Sequence, residues 1–362
     1  MIESLRIQNF RCFKVLELSG LRRINVVVGQ NASGKTALLE ALRIGLAGTP
    51  LILPWINNLR GLQMILPPNP TQEQFSALWI NLFYDFNDSE KILIETLDSQ
   101  NSQTRGTILK IFYDPTKAIT TQPSLIVVPG FFTAPTTITP LALDRTDISG
   151  KKSVLLATIN AQGGLHLETG PELKKSNAFF GNTMFGAAFE NATWLSDLSI
   201  AKRSQEILEA LKKHFPYVRN LSTEIILGAN AVYADVPSLS RKINVVLVSG
   251  GMNRLLTFIL AMVTFAKGVV LIDEIENGIF HDQLGRVWDT LVALAIQHDT
   301  QLFISTHSDE CLKAAVPVIK KNSGDFCLLR TEKKNAESLI QIFNGAELQG
   351  ALEKGGEVRD RG

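Results

Sequence analysis

Apolar and polar positions alternate from the start of the chain. Residues 4–7 and 14–18 read as strands with one buried face, and 23–28 has the near-continuous apolar character of a strand buried on both faces. A glycine-rich turn follows, and a helix is predicted over 36–46, stopped by Gly48 and Pro50. From 49 to about 240 the character changes. Prolines at 50, 54, 67, 68, 70, 115, 123, 129, 135 and 140 punctuate short alternating runs at 91–95, 107–113, 125–128 and 154–159. These runs predict antiparallel strands or hairpins, with a turn at 161–164. An amphipathic helix is predicted over 197–215, with Ala201, Leu208, Leu211 and Phe215 on one face and Pro216 ending it. Beyond 243 the pattern reads strand 243–248, hydrophobic helix 252–266, strand 269–272, helix 281–298, strand 302–304, and roughly one more strand and helix. The expected architecture is α/β: a nucleotide-type core from 1–48 and 240–362, split by a strand-rich insertion, 49–239, that serves dimer or partner contacts.

Composition narrows the class. In 362 residues, 45% are hydrophobic and 20% charged, enough for a real core and unlike a disordered chain. Lys plus Arg is 36 against 35 for Asp plus Glu, a net charge of +1, so no whole-surface attraction for nucleic acid or anionic membrane is expected. Cys12, Cys311 and Cys327 have no metal or redox spacing and read as reduced thiols. The N-terminus carries no signal-peptide pattern, and the longest apolar run, 255–266, is too short for a bilayer. A cytoplasmic protein is expected.

Gly29-Gln30-Asn31-Ala32-Ser33-Gly34-Lys35-Thr36 fits G-x-x-x-x-G-K-[ST] between a predicted strand and a predicted helix. The two glycines let the loop wrap with its N–H groups pointing inward, and the helix N-terminus adds positive potential for phosphate. Lys35 is placed to reach the β- and γ-phosphates, and Thr36 offers a hydroxyl to Mg²⁺. The apolar strand 269–272 ends in Asp273 and Glu274. Asp273 suits the Mg²⁺ shell, and Glu274, one residue on, suits a general base toward the attacking water. Ser249-Gly250-Gly251 lies at a strand-to-helix junction. Ser249 equally suits a helix cap, but the glycines and the helix end make a second anion site. That surplus makes sense if it serves a nucleotide bound by another copy.

Together with Asn9-Phe10-Arg11, Asp273-Glu274-Ile275-Glu276-Asn277-Gly278 and Ser305-Thr306-His307-Ser308, these motifs come in an order that resembles the ABC-type ATPases of the SMC/RecF group. Within it the set is most similar to the OLD-like (overcoming-lysogenization-defect) ATPases of bacterial antiviral systems. The resemblance covers 1–48 and about 215–312. It implies a P-loop ABC/SMC-type ATPase head with a mixed α+β insertion lobe. It also implies two heads sandwiching two ATP·Mg²⁺. Lys35 and Thr36 would then act in cis, and Ser249, Gly250 and Gly251 would reach the γ-phosphate in trans. Asp273 would complete the metal site, Glu274 would polarise the water, His307 would sense the γ-phosphate, and Arg11 would lie near the nucleotide. Residues 276–280 resemble the loop coupling the two sites. Met252 and Ile275 depart from the transporter pattern, and Gln63, Gln72 and Gln74 are unranked candidates for a glutamine lid.

The prolines of the insertion forbid the long coiled coil of SMC proteins. No Asp-x-Asp occurs, and the stretch after His307 is short for a Toprim nuclease domain, so any nuclease or toxin effector is expected on a separate subunit. The leading expectation is a dimeric or higher homo-oligomeric ATPase switch controlling such an effector in antiphage defence. A RecF/SMC-like repair ATPase that binds DNA along the basic doublets, and an ATP-locked scaffold with negligible turnover, stay open. A transporter subunit is disfavoured, a GTPase lacks its Asn-Lys-x-Asp, and no membrane contact is expected.

Overall fold

A computed structural model describes residues 1–62, 65–67, 70–100, 103–120, 136–160, 164–169, 178–181, 188–226, 228–334 and 337–353. The strand expected at 125–128, Gln63 and most of the turn at 161–164 lie outside the described residues.

The chain opens with the hairpin β1 (Ile2–Phe10) and β2 (Phe13–Ser19), then β3 (Ile24–Gly29) and α1 (Lys35–Ala47). After α2 (Ile52–Leu59) and α3 (Gln72–Ala77) come β4 (Ile92–Gln100), β5 (Gln103–Tyr113), β6 (Ile119–Thr120), β7 (Thr137–Ile138), β8 (Leu141–Thr146), β9 (Lys152–Ile159), β10 (Leu165–Leu167) and β11 (Ala178–Gly181). Next are α4 (Ala188–Ile200), α5 (Ser204–Lys212), β12 (Asn220–Ile226), β13 (Ala229–Asp235), β14 (Ile243–Asn244), α6 (Val245–Val248), α7 (Gly250–Thr264) and β15 (Val269–Ile272). The chain continues through α8 (Leu284–Gln297), β16 (Gln301–Ser305), α9 (Asp309–Lys321), β17 (Phe326–Lys334), β18 (Glu337–Asn344) and α10 (Gly345–Glu353).

Two sheets organise the fold. The central one has the order β11-β15-β16-β3-β17-β18 and is parallel except for β18. Every residue of β3, β15 and β16 is buried, as a parallel sheet covered on both faces requires. Period-two alternation then decides which side chain meets which layer. Val26, Val28, Val270, Ile272 and Ile304 pack with α7, α8 and α9. Val27, Leu271, Phe303 and Leu329 face the other way, onto α1 and the second sheet. That second sheet is antiparallel, in the order β10-β9-β8-β5-β4-β1-β2. The helix α1 is therefore buried nearly all round, because both sheets contribute to the core that encloses it.

The α/β P-loop fold class read from the sequence is the one found. The segment 49–239, however, shares its sheets with its flanks: β4 pairs with β1, β11 pairs with β15, and α4 and α5 join the core around α7. Strands from both sides of residues 48 and 240 thus share sheets, since half-buried strands need neighbours to cover their apolar face. The single helix expected over 197–215 is two helices, α4 and α5, separated where Lys202 takes a left-handed φ of 60°. The strand expected over 243–248 ends after Asn244, whose side chain accepts from the Val246 amide and starts α6. Among the described residues the tail holds two strands and two helices, one more of each than expected. All three cysteines are free thiols. No helix among the described residues is long and apolar enough to cross a membrane.

Candidate nucleotide site

The phosphate loop joins β3 to α1, and α1 starts at Gly34 with no side-chain cap. Gly34, having no side chain, caps none of the first-turn N–H groups, the arrangement that binds anions. By contrast α7 and α9 are capped by the Ser249 and Ser308 hydroxyls. Gly29 has φ 144° and could carry no side chain: a Cβ there would lie 2.2 Å from the Thr331 carbonyl oxygen. The Thr331 hydroxyl, on β17, lies within reach of both the Val28 carbonyl (3.0 Å) and the Ser33 hydroxyl, and its one proton serves one of them at a time. Ser33 Oγ donates to the Gln30 carbonyl at 2.6 Å. Lys35 is buried, and its Nζ donates to the carbonyls of Gly29 and Gln30, each at 2.8 Å. The ammonium is thus held over the loop, among donors that face the same cleft.

The end of β15 meets this loop. Thr36 Oγ1 donates to Asp273 Oδ2 at 2.9 Å, and the Ser305 hydroxyl bonds the other carboxylate oxygen. Ser305 Oγ in turn accepts from the Glu274 amide at 2.8 Å. Glu274 takes a left-handed φ of 51°, unusual for a residue with a Cβ. Two groups hold it there. Arg254 Nη2 donates to the carbonyls of Asp273 (2.9 Å) and Glu274 (2.7 Å), and Asn277 Nδ2 donates to the Glu274 carboxylate. Burial lowers the Arg254 pKa in spite of the attraction of Glu274, Asp273 and Glu276.

Loop and strand end open on one cleft of roughly 690 Å³, lined by Asn31, Ala32, Gly34, Lys35, Thr36, Asp273 and Glu274 together with Arg11, Cys12, Arg60, Asn81, Phe83, Asp85 and Phe86. Arg11 lines the cleft, but its head is engaged with Glu40 on α1, which is 1% exposed. The Arg11 pair is 3.2 Å, and Arg60 binds the same carboxylate twice, at 2.7 and 3.0 Å. Burial lowers the Arg11 pKa despite Glu40. For Arg60 burial acts the same way, yet its hydrogen bonds and attraction to Glu40 leave the pKa raised. Thr36 and Asp273 present two hard oxygens side by side, which suits Mg²⁺, an ion that takes few protein ligands beside phosphate and water.

Ser249, Gly250 and Gly251 do not line this cleft within the chain. Ser249 Oγ caps α7 by accepting from the Met252 amide at 3.3 Å, and a Cβ on Gly251 would lie 2.6 Å from the Gly278 carbonyl. His307, 46% exposed, also stands apart, its Nδ1 2.9 Å from Glu276 Oε1. Gln72 is engaged with Ser76 and the Thr139 amide, and Gln74 completes the capping box of α3. Sequence reasoning missed Glu40, Arg60, Arg254, Ser305 and Thr331. Glu40, a lone acid in the apolar run of α1, carried a readable signal. Ser305 stood inside a motif already singled out and Arg254 beside one, though neither was given a role, and Thr331 carried no signal.

Comparisons with known proteins find similar chains. A protein-family model described as "AAA ATPase domain" matches residues 1–225, more than half of the chain. One described as "AAA domain, putative AbiEii toxin, Type IV TA system" matches residues 173–313. A Helicobacter pylori protein named "ATP/GTP phosphatase" is 25% identical over 348 residues, covering 89% of each chain. A RecF DNA replication and repair protein of an Exiguobacterium species is 44% identical over 43 residues, 12% of each chain. Among solved structures, an SMC head bound to the C-terminal winged-helix domain of ScpA aligns with TM-score 0.47 and 14% identity, over 98% of this chain and 99% of that one. The SMC head domain from Thermotoga maritima aligns with TM-score 0.40 and 13% identity, over 95% and 99%. By its phosphate loop, its acidic strand end and the family match over residues 1–225, the chain belongs to the AAA ATPase domain family.

Proposed function

We propose that two copies of this chain sandwich ATP·Mg²⁺ and hydrolyse it, and that the nucleotide state controls a separate effector in bacterial antiphage defence. The observation that carries the reading is the Thr36–Asp273 contact beneath the uncapped start of α1, which sets phosphate donors and metal-binding oxygens side by side. Residues 29–36 bind the triphosphate, with Lys35 on the β- and γ-phosphates. Thr36 and Asp273 hold Mg²⁺, which when bound neutralises charge on the phosphate oxygens. Glu274 takes a proton from water as that water attacks the γ-phosphorus; the bond to the β-phosphate oxygen breaks, leaving ADP and phosphate. Asn277 and Arg254 hold Glu274 before the partner head arrives. Ser249, Gly250 and Gly251 reach the γ-phosphate of the partner copy, which accounts for their place off the chain's own cleft. His307 senses that phosphate, and Arg11 lies along the nucleotide. The partial match to a putative toxin family supports the defence role. The name of the Helicobacter pylori relative supports GTP as a second substrate.

Complementation tests the shared site. Lys35→Ala and Ser249→Arg are each expected to be inactive alone. An equimolar mixture should regain hydrolysis, because mixed dimers hold one intact site. No recovery in verified mixed dimers contradicts sharing in trans.

A further inference from the structure

One wall of the cleft plays no part in phosphate chemistry. Beyond Gly34 the lining passes to Cys12, whose Sγ would lie 3.0 Å from a Cβ on Gly34, and then to Arg11. The Arg11 amide donates to the Leu82 carbonyl (2.9 Å), and its Nη1 donates to the Asn81 carbonyl (3.3 Å). The segment that follows ends in Phe86 at the cleft rim.

Phe86 is unlike its neighbours. Phe75, Trp79, Leu82 and Phe83 are buried, whereas Phe86 is 64% exposed. Asp85 and Phe86 both take left-handed backbone, φ 50° and 56°, a conformation that costs a bulky L-residue free energy. The surroundings hold it in place. Phe83 bridges to Phe10 and stacks on Tyr113, and Asn9 Nδ2 donates to the carbonyls of Asn87 (3.0 Å) and Glu90 (2.8 Å). A strained turn, pinned on both sides, thus presents a ring to solvent at the mouth of the cleft. Core packing does not explain that placement, since the ring is not in the core. Among the described lining residues Phe86 is the only exposed aromatic.

We propose that Phe86 is the platform on which the base of the nucleotide stacks, a specificity-determining residue for purine nucleoside triphosphates. The inference rests on the phosphate-loop reading, which fixes the other end of the ligand at Lys35 and Thr36. A stacked ring favours the larger purine surface over a pyrimidine and does not read the base edge, so ATP and GTP bind with similar affinity and UTP binds more weakly.

The test is equilibrium binding of ATP, GTP, UTP and inorganic tripolyphosphate to the wild type, Phe86→Gly, Phe86→Trp and Lys35→Ala. Phe86→Gly relieves the left-handed strain, so it keeps the fold while removing the ring. It is expected to weaken ATP and GTP by about 5- to 150-fold and leave tripolyphosphate unchanged, with Phe86→Trp near wild type. Phe86→Gly that binds ATP within about twofold of wild type, or loses tripolyphosphate in equal measure, overturns the proposal. The phosphate reading fails separately, if Lys35→Ala keeps its tripolyphosphate affinity.

Discussion

The Thr36 hydroxyl donates to the Asp273 carboxylate at 2.9 Å although 237 residues separate the two in sequence. That contact fastens the first turn of α1 to the end of β15. It exists because β16 stands between β3 and β15 in the parallel sheet, so both strands deliver their carboxyl ends to one edge. Ligand sites in open α/β sheets form at such edges.

If these two oxygens hold the metal, Thr36→Val should raise the Mg²⁺ concentration needed for half-maximal phosphate release, and Asp273→Asn should lower hydrolysis by roughly 10²-fold. Phosphate release followed through a Mg²⁺ titration reads both. An unchanged Mg²⁺ dependence in Thr36→Val contradicts the assignment.

Glu40 holds two arginines from inside the core, and its removal leaves the Arg11 head without its countercharge. Glu40→Ala should cost about 3–5 kcal/mol in urea unfolding, the range for breaking a buried ion pair. A loss below about 1 kcal/mol would show that water, not Glu40, satisfies the two guanidinium groups.

Much of the site was legible from the chain, for a physical reason. Phosphate loops and acidic strand ends are local: Gly29, Lys35 and Thr36 act through backbone geometry within one strand–turn–helix unit. The apolar runs of β3, β15 and β16 announced a covered sheet just as directly. What stayed hidden depends on distant pairing. Thr331 reaches Ser33 only because β17 lies beside β3, and nothing near Thr331 in sequence reports that neighbour. The sharing of sheets by 49–239 failed to show for the same reason, since an alternating strand reveals its buried face but not its partner. Lys202 broke a helix whose apolar spacing alone read as continuous.

Glycine contrasts test the loop itself. Gly29→Ala would drive a methyl group into the Thr331 carbonyl, whereas Gly20, at φ 82°, has no atom within 4 Å of a built Cβ. Gly29→Ala should therefore lose ATP affinity by at least about tenfold as the loop shifts. Gly20→Ala should cost only the strain of its backbone, about 1 kcal/mol, with affinity retained. Isothermal titration of both variants separates a specific clash from a general glycine effect.

Acid should loosen the helical layer at a known point. Burial, with Arg286 and Lys213 adding to it, pushes the His214 pKa down to about 4, and its Nε2 lies 2.8 Å from the Thr290 hydroxyl. The folded state then binds fewer protons than the unfolded chain, whose histidine titrates near 6.5. The contribution is full above about pH 6.5 and is lost as pH falls toward 4. Across that window Tm should fall more steeply for wild type than for His214→Gln. Parallel curves would mean that the histidine is solvated in the folded protein.

The most direct test of the central claim is steady-state ATP hydrolysis by wild type and Glu274→Gln across protein concentration. A site shared between two copies predicts specific activity that rises with concentration. It also predicts a loss of roughly 10²- to 10⁴-fold in Glu274→Gln, with ATP still bound. Specific activity independent of concentration, or Glu274→Gln turning over at the wild-type rate, contradicts the account.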